Sequence, residues 1–206
     1  MSQPDITLYA SVASRSFTAR WMLEELGVAY RVQMIDIRAG EQKSPDYLRL
    51  NPMGKVPTLT DGDRVVTETA AICLFLADRY GYGALAPRVE DAGRATYLRW
   101  AVFSTAVLEP AYQTKALDLP AFRHGWGDLD SALNTVRQAV TPGPWLLGEA
   151  FTAADVALGA ALTVGLFTQQ IPDDPVLGAY NQRLAGRPAY QAASAATWPP
   201  ELFNPG

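Results

Sequence analysis

Residues 51–80 constrain the fold of this chain more than any other stretch of its 206 residues. They read NPMGKVPTLTDGDRVVTETAAICLFLADRY, a Gly-Lys-Val-Pro segment followed by a strand, an Asp-Gly turn, a second strand and a helix. A cis bond before Pro57 would present the backbone of Val56 as a free strand edge. Glu68 and Thr69 open the helix, where free N–H groups attract a carboxylate. The segment therefore predicts a hairpin and a helix that can hold a small anionic peptide.

Strand and helix signals before this segment complete one domain. A strand at 6–10, a helix at 17–26 closed by Gly27, a strand at 30–37 and a short helix at 46–50 precede the hairpin strands at 58–60 and 64–66. The resulting order is βαβαββα, which predicts a thioredoxin-like α/β domain over 1–81.

Strand signals disappear beyond a Gly-, Ala- and Pro-rich linker at 82–90, and 91–206 are predicted to form an all-α helical bundle domain. We expect a long helix at 91–117 bent near Pro110, a second at 122–140 and terminal helices at 175–185 and 189–196. Thr152 and Asp155 have the spacing of a capping box before the apolar run 156–167.

Composition excludes several classes of function. With 49% hydrophobic and 18% charged residues and a net charge of −4, the chain has the make-up of a globular protein without an electrostatic footprint for nucleic acid. One Cys (Cys73) and one His (His124) are too few for a zinc site of ordinary type or an intramolecular disulfide, so we expect no metal and a reducing, cytoplasmic setting. The start of the chain lacks the features of a signal peptide, and the longest apolar run is too short to span a bilayer.

The motifs together resemble those of the glutathione S-transferases. The family carries Asn-Pro-x-Gly-Lys-Val-Pro and then Glu-Ser-x-Ala-Ile on a helix, and this chain has Thr69 in place of the usual serine. The segment Phe-Thr-x-x-Asp ending at Asp155 resembles the start of the central helix in the family's helical domain. The resemblance is closest to the cytosolic, bacterial, theta- and zeta-like serine type, and it implies an enzyme that activates glutathione.

The resemblance implies two candidate donors to the glutathione thiolate. Ser14, between the first strand and the first helix, matches the activating serine of the serine-type classes. Tyr9 matches the donor of the tyrosine-type classes, although a strand tyrosine is more often a packing residue. Arg15 would add positive field near the sulfur. Ser14 is preferred over Tyr9, and Ser16 is expected to cap the helix or to serve as a spare donor.

The contacts expected to bind glutathione also follow the family motif. Val56 would pair its backbone with the cysteinyl unit, and Pro57 would fix that geometry. Thr69 would hold the γ-glutamyl carboxylate and Glu68 its amine. At the glycine end the resemblance implies two further contacts, from Gln42 and Lys55.

The electrophile is expected to bind in an apolar cleft between the two domains. Its predicted lining comes from the long helix, whose aromatic stripe is equally suited to bundle core. The residues are Trp100, Phe103, Ser104 and Tyr112.

Two functions remain open at this stage. The first is a glutathione transferase whose reaction is conjugation, dehalogenation, isomerisation or peroxide reduction, with a role in detoxification. The alternative is a non-catalytic binding or regulatory module of the same fold. A glutaredoxin-like thiol transferase is disfavoured, because Arg15 or Ser16 stands where its cysteine would be. The resemblance further implies a homodimer whose partners are glutathione and a hydrophobic small molecule, with no nucleic acid and no membrane.

Overall fold

The structure, a computed structural model, describes residues 5–199. Its first part alternates strands and helices in the predicted order, which confirms the thioredoxin-like fold class. The elements are β1 Ile6–Ala10, α1 Ser16–Leu26, β2 Arg31–Met34, α2 Pro45–Leu50, β3 Thr58–Asp61, β4 Arg64–Thr67 and α3 Thr69–Tyr80.

The four strands form one mixed sheet in the order β2-β1-β3-β4. β1 is parallel to β2 and antiparallel to β3, so that Leu8 lies between Val32 and Leu59. β3 and β4 pair as an antiparallel hairpin. This register places the chain after β1, the chain before β3 and the chain after β4 at the same end of the sheet.

The two faces of the sheet follow from the alternation of β1. Ile6, Leu8 and Ala10 are buried in the same core as apolar residues of α1 and α3. Tyr9 points to the other face, where its ring meets that of Tyr47 on α2, with centroids 6.1 Å apart. The alternation of β1 was therefore sufficient to assign its core side.

β2 is shorter than its predicted span of 30–37. Its partner β1 ends at Ala10, which pairs with Met34, so the ladder has no further residue of β1 to pair with. One more hydrogen bond, from the N–H of Ile35 to the carbonyl of Ala10, extends the contact. The strand is at the edge of the sheet, and its four residues are exposed.

The second part of the described chain is mostly helical, as predicted. Its helices are α4 Arg94–Phe103, α5 Glu109–Ala116, α6 Leu129–Val140, α7 Ala153–Phe167, α8 Pro175–Ala185 and α9 Pro188–Thr197. The predicted domain boundaries stay a prediction, and residues 200–206 of the predicted helical domain lie outside the described residues.

The bend expected near Pro110 takes the form of a π-helical turn over Ser104–Leu108, between α4 and α5. Pro110 has no N–H to donate and its ring crowds the preceding turn. The helix widens instead, and the N–H of Glu109 donates to the carbonyl of Ser104. The predicted single helix at 91–117 is therefore two helices joined by a wider turn.

The helix predicted at 122–140 begins only at Leu129, so the first part of that prediction was wrong. Gly127 has φ of 73°, a left-handed conformation that interrupts a helix. Asp128 then caps α6 by accepting a hydrogen bond from the N–H of Ser131 at 2.7 Å.

α7 is the central helix of this part, with most of its residues buried. The predicted capping box is confirmed: the carboxylate of Asp155 accepts from the N–H of Thr152, and the Thr152 hydroxyl accepts from the N–H of Ala154. Gly159 lets α8 approach closely, since a Cβ there would lie 2.4 Å from a methyl group of Leu184.

In the described part of the chain, three ion pairs join the sheet domain to the helices, and two of them are bidentate. Arg94 of α4 makes a two-pronged contact with Asp78 of α3, at 2.6 and 2.7 Å. Arg187, just before α9, makes a similar contact with Glu25 of α1. Such paired N–H···O bonds fix orientation as well as distance. They fix the two parts of the chain against each other near the C-terminal ends of α3 and α1.

Candidate active site

The predicted glutathione-binding segments meet at one end of the sheet. In the strand register Tyr9 pairs with Thr58, and Thr58 pairs with Thr67. The loop after β1, the residues just before β3 and the start of α3 therefore lie next to one another. Ser14, Val56 and Thr69 come from these three segments, as the sequence predicted for a shared site.

Ser14 lies in a hydrogen-bonded loop between β1 and α1 and is half-buried. Its hydroxyl accepts from the N–H of Ser16 at 3.1 Å and has two acceptors within reach, the carbonyl of Ser11 at 2.7 Å and the hydroxyl of Ser16 at 2.9 Å. A serine has one proton to donate, so these acceptors compete. The hydroxyl is thus held in place with a proton that can be redirected to a third acceptor.

Ser16 is the first residue of α1 and not its cap. Its hydroxyl accepts a hydrogen bond from the N–H of Ser11 at 3.1 Å, and the N-cap position is occupied by Arg15 without a side-chain cap bond. The loop is closed on itself by these serine contacts. The first N–H groups of α1 are already bonded within the loop, because that of Ser16 donates to the Ser14 hydroxyl and those of Phe17 and Thr18 donate to the carbonyls of Ser14 and Arg15.

Arg15 points away from the loop towards the helical part. Its Nη2 donates to the hydroxyl of Tyr112 at 2.6 Å and lies 3.2 Å from Oε2 of Glu109. Burial raises the pKa of the Glu109 carboxyl, an effect that the charge of Arg15 partly offsets. Burial likewise raises the pKa of Tyr112, with the Glu109 charge acting in the same direction. The contact to α5 had no signal in the sequence.

A buried pair of side chains supports the segment before β3. The hydroxyl of Tyr47 donates to the carbonyl of Lys55 at 2.6 Å and is 2.9 Å from the hydroxyl of Thr58. The side-chain amide of Asn51 donates to the same carbonyl at 2.9 Å. The peptide between Val56 and Pro57 lies between the two residues that these hydrogen bonds hold, Lys55 and Thr58, and it is cis as the sequence suggested.

Asn51 closes the turn before β3, because its side-chain amide donates to the carbonyl of Lys55 and its Oδ1 accepts from the N–H of Met53. Tyr47 was missed by sequence reasoning. It sits on a six-residue helix, too short for its periodicity to show which side chain faces inwards.

α3 opens with an unusual backbone at Glu68. This residue has φ of 67° and ψ of 123°, outside the regions that a residue with a Cβ prefers, and its exposed side chain makes no cap bond. Such strain costs on the order of 1–3 kcal/mol and is concentrated at ligand-binding sites. The first N–H groups of the 12-residue helix α3 face the sheet end where Ser14 and Val56 lie.

Of the two polar residues expected at the glycine end, Gln42 lies in the segment before α2 and Lys55 in the turn before β3. Gln42 is half-buried, and its Nε2 donates to the carbonyl of Ile37 at 3.2 Å. Lys43 donates from Nζ to the carbonyl of Met53 at 2.9 Å, which places this segment against the turn that contains Lys55. The side chain of Lys55 is exposed.

Most of the predicted electrophile-pocket residues are enclosed by the fold. Trp100, Ser104 and Tyr112 are each at most 3% exposed, and Phe103 is half-buried. The ring of Phe103 packs edge-on to Trp100 at 5.2 Å, and the hydroxyl of Ser104 donates to the carbonyl of Ala101. The pocket role of these four residues stays a prediction.

A cavity of about 350 Å³ opens beside the loop after β1. Its walls are the loop residues 11–13 and the segment that follows β2, residues 34–38. The apolar part of this lining is provided by Val12, Ala13, Met34, Ile35 and Ile37. The cavity thus combines an apolar wall with immediate proximity to the backbone that holds Ser14.

Cys73 is fully buried, and burial raises the pKa of its thiol to about 12. Within residues 5–199, no three side chains of His, Cys, Asp or Glu cluster in a way that would hold a metal ion. In the same residues no helix has both the length and the apolar character needed to cross a membrane.

Comparison with known proteins points to one family. Residues 4–78 match the family described as glutathione S-transferase, N-terminal domain. Glutathione S-transferase 3 of Zea mays is 28% identical over 85% of this chain and 86% of that protein. A zeta-class glutathione S-transferase of Euphorbia esula is 35% identical, but the match spans only 38% of this chain and 36% of that protein.

A solved structure extends the similarity over nearly the full length. The theta-class glutathione S-transferase of Xanthomonas axonopodis pv. citri, solved with glutathione bound, is 30% identical to this chain with a TM-score of 0.72. The match covers 93% of this chain and 97% of that structure.

Proposed function

This chain belongs to the glutathione S-transferase family and is a glutathione transferase, and from that premise we propose that it stabilises the thiolate of glutathione with the hydroxyl of Ser14. The observation that carries the proposal is that three segments meet at one end of the sheet. They are the serine loop after β1, the residues before β3 that Tyr47 and Asn51 hold by hydrogen bonds, and the strained start of α3. Each supplies a different contact that a small anionic peptide needs.

The energetics require no general base from the protein. A free thiol of this type has a pKa of about 8.5, and lowering it by two units takes about 2.7 kcal/mol. A hydrogen bond to a charged group supplies about 1.5–3 kcal/mol, and a helix N-terminus adds about 0.3–1 kcal/mol. The Ser14 hydroxyl and the positive end of the α1 dipole together account for this amount.

Ser14 is favoured over Tyr9 as the donor. The Tyr9 side chain lies on the face of the sheet that α2 covers, with its ring against Tyr47. Ser14 lies at the sheet end where the other glutathione-binding segments meet. Tyr9 is therefore assigned a packing role.

Glutathione is proposed to lie across the three segments in an extended form. The free backbone edge of Val56, ahead of Pro57, pairs with the cysteinyl unit. Thr69 and the first N–H groups of α3 receive the γ-glutamyl carboxylate, and Glu68 receives the amine. Gln42 and Lys55 face the glycine carboxylate.

The electrophile is proposed to enter the cavity beside the serine loop, where Met34 and Ile37 provide an apolar wall. With an activated aryl chloride, the thiolate sulfur bonds to the ring carbon, the carbon–chlorine bond breaks and chloride leaves with its electron pair. The thiol proton has by then passed to water. The alternative location is the cleft expected from the sequence, with Trp100, Phe103, Ser104 and Tyr112 as its lining, of which only Phe103 is partly exposed.

The functional unit is proposed to be a homodimer. Leu98 and Val102 lie one turn apart on α4 and are 39% and 50% exposed. Exposed apolar side chains grouped in this way favour a second copy of the chain as their cover.

Calorimetric titration with glutathione, followed by a conjugation assay with an aryl chloride, tests the proposal. We expect saturable binding below millimolar concentration and equal amounts of conjugate and chloride. Binding without any conjugate would exclude the aryl chloride as a substrate, and binding without the thiolate absorption would favour the binding-module alternative. No binding at millimolar glutathione would remove the site assignment altogether.

A further inference from the structure

The loop that carries Ser14 is tethered on both sides of this residue, and both tethers reach the helical part of the molecule. On one side the N–H of Ala13 donates to the carbonyl of Thr197, at the end of α9, at 2.9 Å. On the other side Arg15 contacts Tyr112 and Glu109 on α5. The loop is thus held from outside its own domain.

The Arg15 tether is mostly enclosed. The side chains of Arg15 and Glu109 are 27% and 19% exposed, and Tyr112 is buried. An enclosed ion pair differs from a surface pair because removal of one partner leaves the other charged group without compensation. Loss of the Arg15 contact would therefore leave Glu109 and Tyr112 without their partner, and it would detach the loop from α5.

The π turn before α5 contributes to this arrangement. It ends at Leu108, directly before Glu109, and Pro110 fixes the start of the helix. Glu109 and Tyr112 are three residues apart, so they share one face of α5 and can contact a single guanidinium.

We propose that Arg15 is a positioning residue, which holds the Ser14 hydroxyl in its thiolate-binding geometry through Tyr112 and Glu109 of α5. This inference rests on the proposed function of Ser14. Nη2 of the guanidinium is occupied by α5, and the buried Nη1 has no hydrogen-bond partner among residues 5–199, so the variants below separate the positioning role from a direct contact with the sulfur. The tether acts on the orientation of a hydroxyl that otherwise donates to Ser11 or Ser16.

A kinetic double-mutant cycle between Tyr112→Phe and Ser14→Ala tests the proposal. Tyr112→Phe removes one hydroxyl and leaves the charge of Arg15 in place. We expect it to lower kcat about tenfold, the effect of one weakened hydrogen bond, and to change KM for glutathione less than about twofold. In the Ser14→Ala background the same substitution should change kcat by less than about twofold, because the two act through one group.

Two further variants make the outcome decisive. Glu109→Gln, which keeps the shape of the side chain, should repeat the behaviour of Tyr112→Phe in both backgrounds. Arg49→Met removes an arginine from an exposed ion pair with Asp46 on α2 and should leave kcat unchanged. Thermal unfolding of each variant identifies any loss that comes from misfolding.

The inference is overturned if Tyr112→Phe and Glu109→Gln leave kcat unchanged, or if they lower it by the same factor with and without Ser14. Retention of kcat in both variants together with loss in Arg15→Met would indicate direct action of the guanidinium on the sulfur. Failure of the proposed function has a different signature, because Ser14→Ala itself would then leave kcat and the thiolate absorption unchanged.

Discussion

At the scale of single residues, the polar side chains at the end of the sheet differ in whether their hydrogen bonds are made within the protein or are left for a ligand. The Ser14 hydroxyl is held by three neighbouring groups of its own loop, whereas the exposed Lys55 and the strained Glu68 remain available at the surface. Tyr47 and Asn51 are fully used by the carbonyl of Lys55 and the hydroxyl of Thr58. Tyr47 and Asn51 thus hold the backbone of the site, whereas Lys55 and Glu68 are the side chains proposed to contact glutathione.

Replacement of Thr69 by valine should weaken glutathione binding. The substitution keeps the shape of the side chain and removes the hydroxyl proposed to hold the γ-glutamyl carboxylate. The loss of one hydrogen bond to a charged group, about 1.5–3 kcal/mol, predicts a rise in Kd of at least about tenfold by calorimetry. Thr135→Val, on the exposed side of α6, is the matched control, and equal Kd values for all three proteins would contradict the assignment.

The buried carboxyl of Glu109 predicts a specific pH dependence of stability. Burial raises its pKa above the ordinary value of 4.5, so the native state binds a proton more tightly than the unfolded state does. The free energy of unfolding contributed by this group therefore falls as pH rises through the interval above 4.5. Urea unfolding between pH 4 and pH 7 should show a shallower decline for Glu109→Gln than for wild type, and parallel curves would show that the group is not perturbed.

At the scale of secondary structure, elements with their own local signals were predicted closely. β1, the Gly27 cap of α1, the Asp-Gly hairpin and the capping box of α7 each depend on a few adjacent residues, so the sequence contains the whole signal. α6 was placed too early, because the apolar residues before Leu129 have helical spacing but Gly127 adopts a left-handed conformation. β2 was extended too far, because its length is set by its partner β1.

The capping box of α7 should be worth several kcal/mol. Asp155 is fully buried and accepts from the N–H groups of Leu146 and Thr152 and from the hydroxyl of Tyr180, each at 2.9 Å. In Asp155→Ala these donors lose their acceptor, at about 1 kcal/mol or more for each. Urea unfolding should show a loss of about 3 kcal/mol or more.

Asp130→Ala, in the exposed first turn of α6, should lose less than about 0.5 kcal/mol and provides the comparison. Similar losses for the two variants would mean that the buried carboxylate of Asp155 contributes no more than a surface one.

At the scale of the whole molecule, the site depends on contacts between distant parts of the chain. Arg15 and Tyr112 are separated by 97 residues, and no sequence pattern connects them. The sequence therefore offered candidate glutathione-binding residues within one domain, which stay a prediction, but it gave no sign of the attachment of the serine loop to α5. It also left open whether Trp100 and Tyr112 form pocket or core, because both environments favour the same aromatic stripe.

Charge on the exposed face of α4 should separate the proposed dimer. The double variant Leu98→Glu/Val102→Glu places two carboxylates where a second copy is expected to pack, so sedimentation should show a monomer. Leu117→Glu, at the exposed end of α5, should sediment as wild type does. A monomeric wild type, or a double variant that stays dimeric, would exclude this face as the interface.

The central claim is that Ser14 donates the hydrogen bond that ionises glutathione. The most direct measurement is a pH titration of the ultraviolet thiolate absorption of bound glutathione, in wild type, Ser14→Ala and Tyr9→Phe. The account predicts a midpoint about two pH units below the free value of about 8.5 in wild type and in Tyr9→Phe, and a rise of at least about one unit in Ser14→Ala. A midpoint that moves in Tyr9→Phe and stays in place in Ser14→Ala would contradict it.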